Sequence, residues 1–253
     1  MQRERLVPLL EWARREGISE SLARKWIKEG RLQAVRLGHY WYVPEVVEGP
    51  ERESKTYTLF THAGGAGKTS LARDLGFELA SRGYRVLLVD ADPQANLTAW
   101  LGVDPGAVAD EETLLKVIRQ DLLPSPREVG RNLYLIPASV NLALGELELD
   151  RKPLGALALR TALERVEEKY DLVLVDSLPS LGSLAVMAAL AGDGLLVPVE
   201  TGAKGLQALR AVIQVAKEYR EAIRKVSPER VSGRSHIIAA FLPTKFDART
   251  LGD

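Results

Sequence analysis

Residues 59–70 read LFTHAGGAGKTS, a run whose residue types and spacing suit a phosphate. Gly64, Gly65 and Gly67 let backbone N–H groups turn toward an anion without side-chain clash. Lys68 is spaced to pair with the outer phosphates of a nucleotide, and Thr69 to set its hydroxyl on Mg2+. Ala66 and Ser70 complete a candidate nucleotide-binding loop. The strict pattern G-x-x-x-x-G-K-[ST] is not met, because His62 stands where its first glycine belongs. A plainer reading of the same residues is a glycine-rich strand-to-helix turn. Two acidic runs weigh against it. LLVDADPQANLT supplies Asp90 and Asp92, and LVLVDSLPS supplies Asp176, each closing an apolar run. Mg2+ prefers carboxylate and water oxygens, which makes Asp176 the first choice for holding it, through water.

Such side chains need a frame to bring them together. TYTLFTH reads as a strand, GKTSLARDLGFELASRG as a helix closed by glycine, and YRVLLVDAD as a second strand. NLYLIPAS, YDLVLVDS, GLLVPVE and SHIIAAFLPTKFD are further apolar strands with helical stretches between them. Strands buried on both faces and alternating with helices predict an α/β fold with a mainly parallel sheet flanked by helices, and the glycine loop set between strand and helix makes a P-loop NTPase the expectation. The carboxyl ends of strands line the ligand crevice of such a sheet, so Asp90, Asp92 and Asp176 are expected to face the glycine loop.

AGGAGKTS, VLLVDADPQANLTAWLG, YDLVLVDSLPSLG and LAGDGLLVPVE resemble the ParA/MinD family of deviant P-loop ATPases, above all its ParA partition branch. The resemblance runs from about residue 56 to the end. Matched to the family's K-G-G-x-G-K-[ST], it implies an ATP site over Gly64, Gly65, Ala66, Gly67, Lys68, Thr69 and Ser70. It also implies Mg2+ near Thr69, Asp92 and Asp176, with Asp92 and Lys68 as the catalytic residues, Asp92 acting on the attacking water. Family members close as ATP-dependent homodimers, bind DNA in the cytoplasm on the nucleoid, and answer to ParB-like centromere-binding partners. The family's first lysine is Ala63 here, and an alanine cannot stabilise charge on a transferring phosphoryl group. Weak hydrolysis is therefore expected. FLPTKFDARTLGD resembles the family's T-x-x-D-x-R-T segment. Relatives continue past it with a stretch that helps enclose the adenine, so the base pocket is expected to be incomplete within these residues.

The first 48 residues have another character. Leu9, Leu10, Trp12 and Ala13 mark one amphipathic helix; Ser19 is placed to cap a second, whose buried side carries Ile18, Leu22, Ala23 and Trp26. LQAVRLGHYWYVP then reads as a hairpin turning at Gly38 and His39. The order resembles an excisionase/MerR-type winged helix-turn-helix domain over residues 1–48, joined by a linker at 49–55 to the ATPase region at 56–253. Residues 14–36 hold seven basic side chains against three acidic ones, the balance expected of a unit that meets a phosphate backbone. Arg24, Lys25 and Lys28 on the second helix, with Arg36 and His39 on the hairpin, are candidate contacts for sequence-specific DNA binding. A small dimerisation module with a solvated charged face is the alternative. The tryptophans and Tyr40 are expected in the core. A second basic group over 204–234, including Arg220, Arg224 and Lys225, is a candidate for non-specific DNA contact.

Bulk properties narrow the field without choosing within it. With 34 basic and 34 acidic residues, whole-chain charge names no partner. There is no cysteine, which excludes disulfides, Cys-based zinc sites and a thiol nucleophile. The most apolar window, SLAVMAALAGDGLLVPV, is interrupted by Gly192, Asp193 and Gly194, so no membrane span is expected. Two functions remain: an ATPase of plasmid or chromosome segregation, and a transcriptional or mobile-element regulator that uses ATP binding as a switch with little hydrolysis.

Overall fold

A strand that is apolar on both faces must be covered on both, and this chain supplies that cover by alternating strands with helices. The computed structural model describes residues 2–37, 40–48, 54–61, 64–166, 169–200, 203–226 and 237–245. The large sheet takes β4 (Lys55–Leu59), β5 (Val86–Ala91), β6 (Arg127–Gly130), β7 (Leu133–Ile136), β8 (Leu172–Ser177), β9 (Gly194–Glu200) and β10 (Ile238–Thr244) in the order β10-β9-β4-β8-β5-β7-β6. All neighbours are parallel except β6, which runs antiparallel to β7 at one edge. The mainly parallel sheet is as expected; the short β6, half-buried and not apolar, carries no strand signal of its own.

Helix α3 (Lys68–Ser81) packs on one face, where Ala72 and Ala80 meet Leu59, Leu88, Leu135 and Leu174. On the other face, α5 (Leu114–Gln120), α6 (Leu144–Arg151), α7 (Ala158–Glu164) and α8 (Ser183–Ala189) bury Leu115, Leu149, Leu159 and Met187 against Leu87, Val89, Val173 and Val175. Odd and even positions of β5 thus feed different cores, as a two-faced strand requires. The long α9 (Ala203–Val226) joins α8 over β9 and β10 around Phe60, Leu195 and Val197. None of the helices among the described residues is long and apolar enough to cross a membrane.

The first 48 residues form β1 (Gln2–Pro8), α1 (Leu9–Arg15), α2 (Glu20–Lys28), β2 (Val35–Leu37) and β3 (Tyr40–Glu48), with an antiparallel sheet ordered β1-β3-β2. Ser19 caps α2 as expected, its hydroxyl accepting the Leu22 N–H at 3.2 Å. Leu9, Ala13, Ala23 and Val43 make the core, with Trp12 and Trp41 packed against it. Strand β1 pairs with β3 from Gln2 to Pro8 and was not anticipated, since its first half is charged. Leu10, Leu22 and Tyr40 depart from expectation. Leu10 and Leu22 face outward, because helices this short bury only one narrow stripe. Tyr40 is 71% exposed instead of buried, standing at the last pair of the β2–β3 ladder, opposite Leu37. Residues 38–39 of the expected turn and 49–53 of the expected linker lie outside the described residues.

One close approach fixes where β4 begins. Asp193 donates its N–H to the Thr56 carbonyl at 2.7 Å and accepts the Thr56 N–H on Oδ2 at 2.9 Å. A Cβ on the preceding Gly192 would lie 2.3 Å from that same carbonyl oxygen. Gly192→Ala is expected to lower stability by at least about 2 kcal/mol, because backbone must shift to admit the methyl group; thermal denaturation checks it.

Candidate functional site

The site begins with strand register. Leu59 pairs across to Asp176, and Asp176 to Asp90, so the ends of β4, β8 and β5 present one row of residues. The glycine loop leaves β4 at this row. Gly65 (φ +74°) and Gly67 (φ +90°) adopt left-handed backbone conformations that favour glycine, which turns the chain sharply into α3. Among the described residues, nothing but the Lys245 ammonium, at 3.9 Å, would meet a Cβ on Gly65, so the constraint there is conformational. Lys68 and Thr69 occupy the first turn of α3, whose exposed N–H groups and dipole favour an anion.

Lys68 is buried to 7% exposure, and burial pulls its ammonium below the ordinary lysine range while Asp176 and Asp92 hold it up. Asp176 is 1% exposed and is pushed up to about 7, first by burial and then by neighbouring Asp90; a hydrogen bond from Thr69 and the charge of Lys68 oppose the rise. Its Oδ1 has no hydrogen-bond partner among the described residues. An orphaned carboxylate oxygen at this depth is costly without a counter-charge. Thr69, Asp176 and Lys68 are therefore brought together as expected, and the donor set fits a hydrated divalent cation beside a polyphosphate. Among the described residues no cluster of three or more acidic or histidine side chains forms a closed cage. Mg2+ does not need one, since it keeps several waters and takes one or two protein ligands beside phosphate oxygens.

Asp90 has a different task from Asp176. Its Oδ2 accepts the Thr98 N–H at 2.9 Å and hydroxyl at 2.7 Å, and its Oδ1 accepts the Asp92 N–H at 3.1 Å. Burial raises it to about 6, against the pull of those hydrogen bonds. The Thr98 hydroxyl in turn accepts the Ala138 N–H, so one buried acid ties the loop after β5 to the end of β7. Asp92 stands on that loop, where its Oδ1 accepts the Gln94 N–H at 2.9 Å. The sequence singled out Asp90 as one acid facing the phosphates; its oxygens are spent on positioning Asp92 instead. Ala66 is buried and Ser70 partly buried, on the loop and on α3 respectively. His62 and Ala63 lie outside the described residues.

A sequence model described as an AAA domain matches residues 54–226. A probable plasmid-partitioning protein ParA of Thermus thermophilus is 60% identical over 254 residues, covering all of this chain and 76% of that protein. The chain belongs to the ParA/MinD family of AAA-domain ATPases. The chromosome-partitioning ATPase Soj of T. thermophilus is 34% identical over 76% of this chain and 70% of its own length. The sporulation initiation inhibitor Soj of Bacillus subtilis is 33% identical, but the chain spans just under two thirds of it. Among solved structures, a Cyanothece McdA variant in complex with ATP has a TM-score of 0.65 at 29% identity, covering 76% of this chain and 70% of that one. Cobyrinic acid a,c-diamide synthase of Mycobacterium smegmatis, with an ATP analogue and magnesium bound, has the same TM-score at 28% identity, covering 78% and 77%. ATP and Mg2+ are thus bound on this fold in its neighbours.

The expected DNA contacts of this ParA/MinD-family chain are scattered over two units. Arg24, Lys25, Lys28 and Arg36 are exposed on α2 and β2. Arg24 meets Glu20 at 2.6 Å and Lys25 meets Glu29 at 3.7 Å, both one helical turn away. On α9, Arg224 is exposed beside Glu221, whereas Arg220 is half-buried in a groove with Ile213 and Phe241, which weakens its candidacy as a surface contact. His39 and the Lys225 side chain lie outside the described residues. Sequence reasoning missed Thr244, whose hydroxyl donates to the Ala66 carbonyl at 3.0 Å, and Lys245 beside it. Their proximity to a loop some 180 residues earlier leaves no local signal.

Both buried acids keep their protons to a higher pH than in the unfolded chain, where the ordinary value is 3.8. The folded chain then binds more protons across the interval from that value to about 7, and the stability present in acid is lost as pH rises through it. Asp176→Asn is expected to raise the Tm of nucleotide-free protein at about pH 7.5, and to reduce the fall in Tm seen between about pH 5 and that pH. Calorimetry at the two pH values checks it.

Proposed function

We propose that this chain is a partition ATPase of the ParA kind, with a deviant phosphate loop and an N-terminal winged helix-turn-helix unit that reads DNA. The observation that carries the ATPase part is the meeting of Lys68, Thr69 and the unpartnered Oδ1 of Asp176 at the ends of adjacent parallel strands. The loop's N–H groups and Lys68 hold the phosphates of ATP. Thr69 and Asp176 would hold Mg2+, Asp176 through water, with Asp92 close by. When bound, Mg2+ would supply positive charge to offset what builds as the terminal phosphoryl group departs. Asp92, fixed by the Asp90 network, orients the attacking water and takes up its proton, so that ADP and phosphate are the products.

Two readings beyond the single chain follow the same line. Supported by the names of the Thermus ParA and Soj relatives, the role is segregation of a plasmid or chromosome, with an ATP-dependent homodimer on DNA in the nucleoid-associated cytoplasm. A ParB-like partner prompts hydrolysis. The order α1, α2, β2, β3 supports the winged helix-turn-helix, with α2 as the groove-facing helix. The alternative, an ATP-switched transcriptional or mobile-element regulator, is favoured by Ala63, because a loop without the family's first lysine lacks a cation for the transition state.

Lys68→Ala is expected to abolish nucleotide binding while leaving specific DNA binding by residues 1–48 intact, as fluorescence titrations of each ligand would show. Asp92→Ala is expected to keep ATP binding and lose hydrolysis by roughly a hundredfold or more. Phosphate release measured with and without DNA separates the two readings: tight ATP binding with turnover at background under both conditions would select the switch and reject the ATPase.

A further inference from the structure

The segment over residues 59–70 carries one lysine, Lys68, and that ammonium is already shared between Asp176 and Asp92. A nucleoside triphosphate brings about four negative charges to the loop, more than one buried lysine, a helix dipole and a divalent cation offset comfortably. A second ammonium stands at the same loop. Strand β10 ends at Thr244, which is bonded to the Ala66 carbonyl and has its methyl 3.7 Å from the place a Gly67 Cβ would take. The next residue, Lys245, turns back in the left-handed backbone region at φ +53°. Its Nζ comes to 3.9 Å from the place a Gly65 Cβ would take.

We propose that Lys245 is a second phosphate-binding cation of this site, gripping the polyphosphate of a nucleoside triphosphate across Gly65. The assignment rests on the nucleotide-binding reading above. Three features argue that the position is built. A left-handed conformation at a lysine costs on the order of 1 kcal/mol, so surrounding contacts must hold it. The Thr244–Ala66 hydrogen bond anchors the turn from one side. From the other, Glu200 at the end of β9, the register partner of Thr244, accepts the Lys245 ammonium at 3.2 Å.

Glu200 also explains how the charge is kept available. The lysine side chain is 52% exposed, so the pair is a surface salt bridge of small intrinsic worth. A phosphate oxygen arriving over Gly65 can take the ammonium from the carboxylate at little cost. Gly65 has no side chain to stand between them. Lys68 serves from within the helix, and Lys245 from the rim of the sheet, with the glycine backbone between the two.

The test uses the full chain and a fluorescent ATP analogue with Mg2+, with unlabelled ATP and AMP as competitors. Lys245→Ala is expected to weaken ATP by roughly tenfold, to leave AMP competition unchanged, and to flatten the salt dependence of ATP binding. Lys245→Arg is expected to restore most of the loss, and the Tm of both variants to stay at the wild-type value. The proposal is overturned if Lys245→Ala binds ATP like wild type while Lys68→Ala does not, or if ATP and AMP weaken together, which would mark a distorted pocket. If Lys68→Ala also binds like wild type, the nucleotide-binding reading itself fails and this one with it.

Discussion

Parallel pairing of β4, β8 and β5 in a single register sets Leu59, Asp176 and Asp90 side by side, and the site depends on that row. It lets the glycine loop leave β4 directly beside a buried carboxylate. It also buries two acids side by side, so burial raises the hold of both on their protons and the charge of Asp90 raises that of Asp176 further. Lys68 relieves part of this, yet burial weakens the lysine as well. The nucleotide-free site is thus electrostatically uncomfortable, and the discomfort is of the kind that a divalent cation beside Asp176 and an anion over Lys68 would remove together. Local instability that a ligand relieves is how binding energy becomes coupled to conformation.

The two buried acids show how environment divides the labour of one residue type. Asp90 has its oxygens taken up by Thr98 and the Asp92 backbone, which makes it a structural clamp. Asp176 keeps one buried oxygen without a hydrogen-bond partner among the described residues. Ala95, in the left-handed region at φ +53°, completes the turn between Asp92 and α4 (Asn96–Trp100), with its N–H on the Asp92 carbonyl at 2.9 Å. Asp92 is therefore held by its own backbone and side chain on a loop whose two ends are pinned to the same buried carboxylate. A group that must orient a water benefits from being placed before the ligand arrives.

Much of this frame could be read from residue order, and the misses have physical causes. Strands such as VLLVDA and LVLVDS announce themselves because both their faces are buried, and the loop because its glycines precede Lys68 and Thr69. Strands β1 and β6 gave no such signal: each lies at a sheet edge, and its pairing partner rather than its own composition makes it a strand. Tyr40 reads as core by type but sits where a three-residue ladder ends. Asp90 and Asp176 are indistinguishable as letters, since only the arrival of Thr98 beneath one of them separates their tasks. Thr244 and Lys245 were within a segment of family resemblance, but their contact with residues 65–67 exists only after β10 has found its place beside β9.

The N-terminal unit obeys a weaker set of constraints, and that bears on how it would act. Among the described residues its core is the small cluster of Leu9, Ala13, Ala23 and Val43 with a few partly buried neighbours. Arg24 and Lys25 are engaged by acids one turn away, but exposed pairs of that spacing are worth only a few tenths of a kcal/mol and yield readily to a phosphate. One such unit making a handful of backbone contacts would hold DNA weakly and release it as salt rises. Two of them carried by a nucleotide-closed dimer would bind with the second contact made effectively intramolecular, and affinity would rise without any new interaction. Under the proposed function, then, the ATP site controls DNA occupancy through the geometry that links two weak readers, and the small unit has no need of a stronger grip of its own.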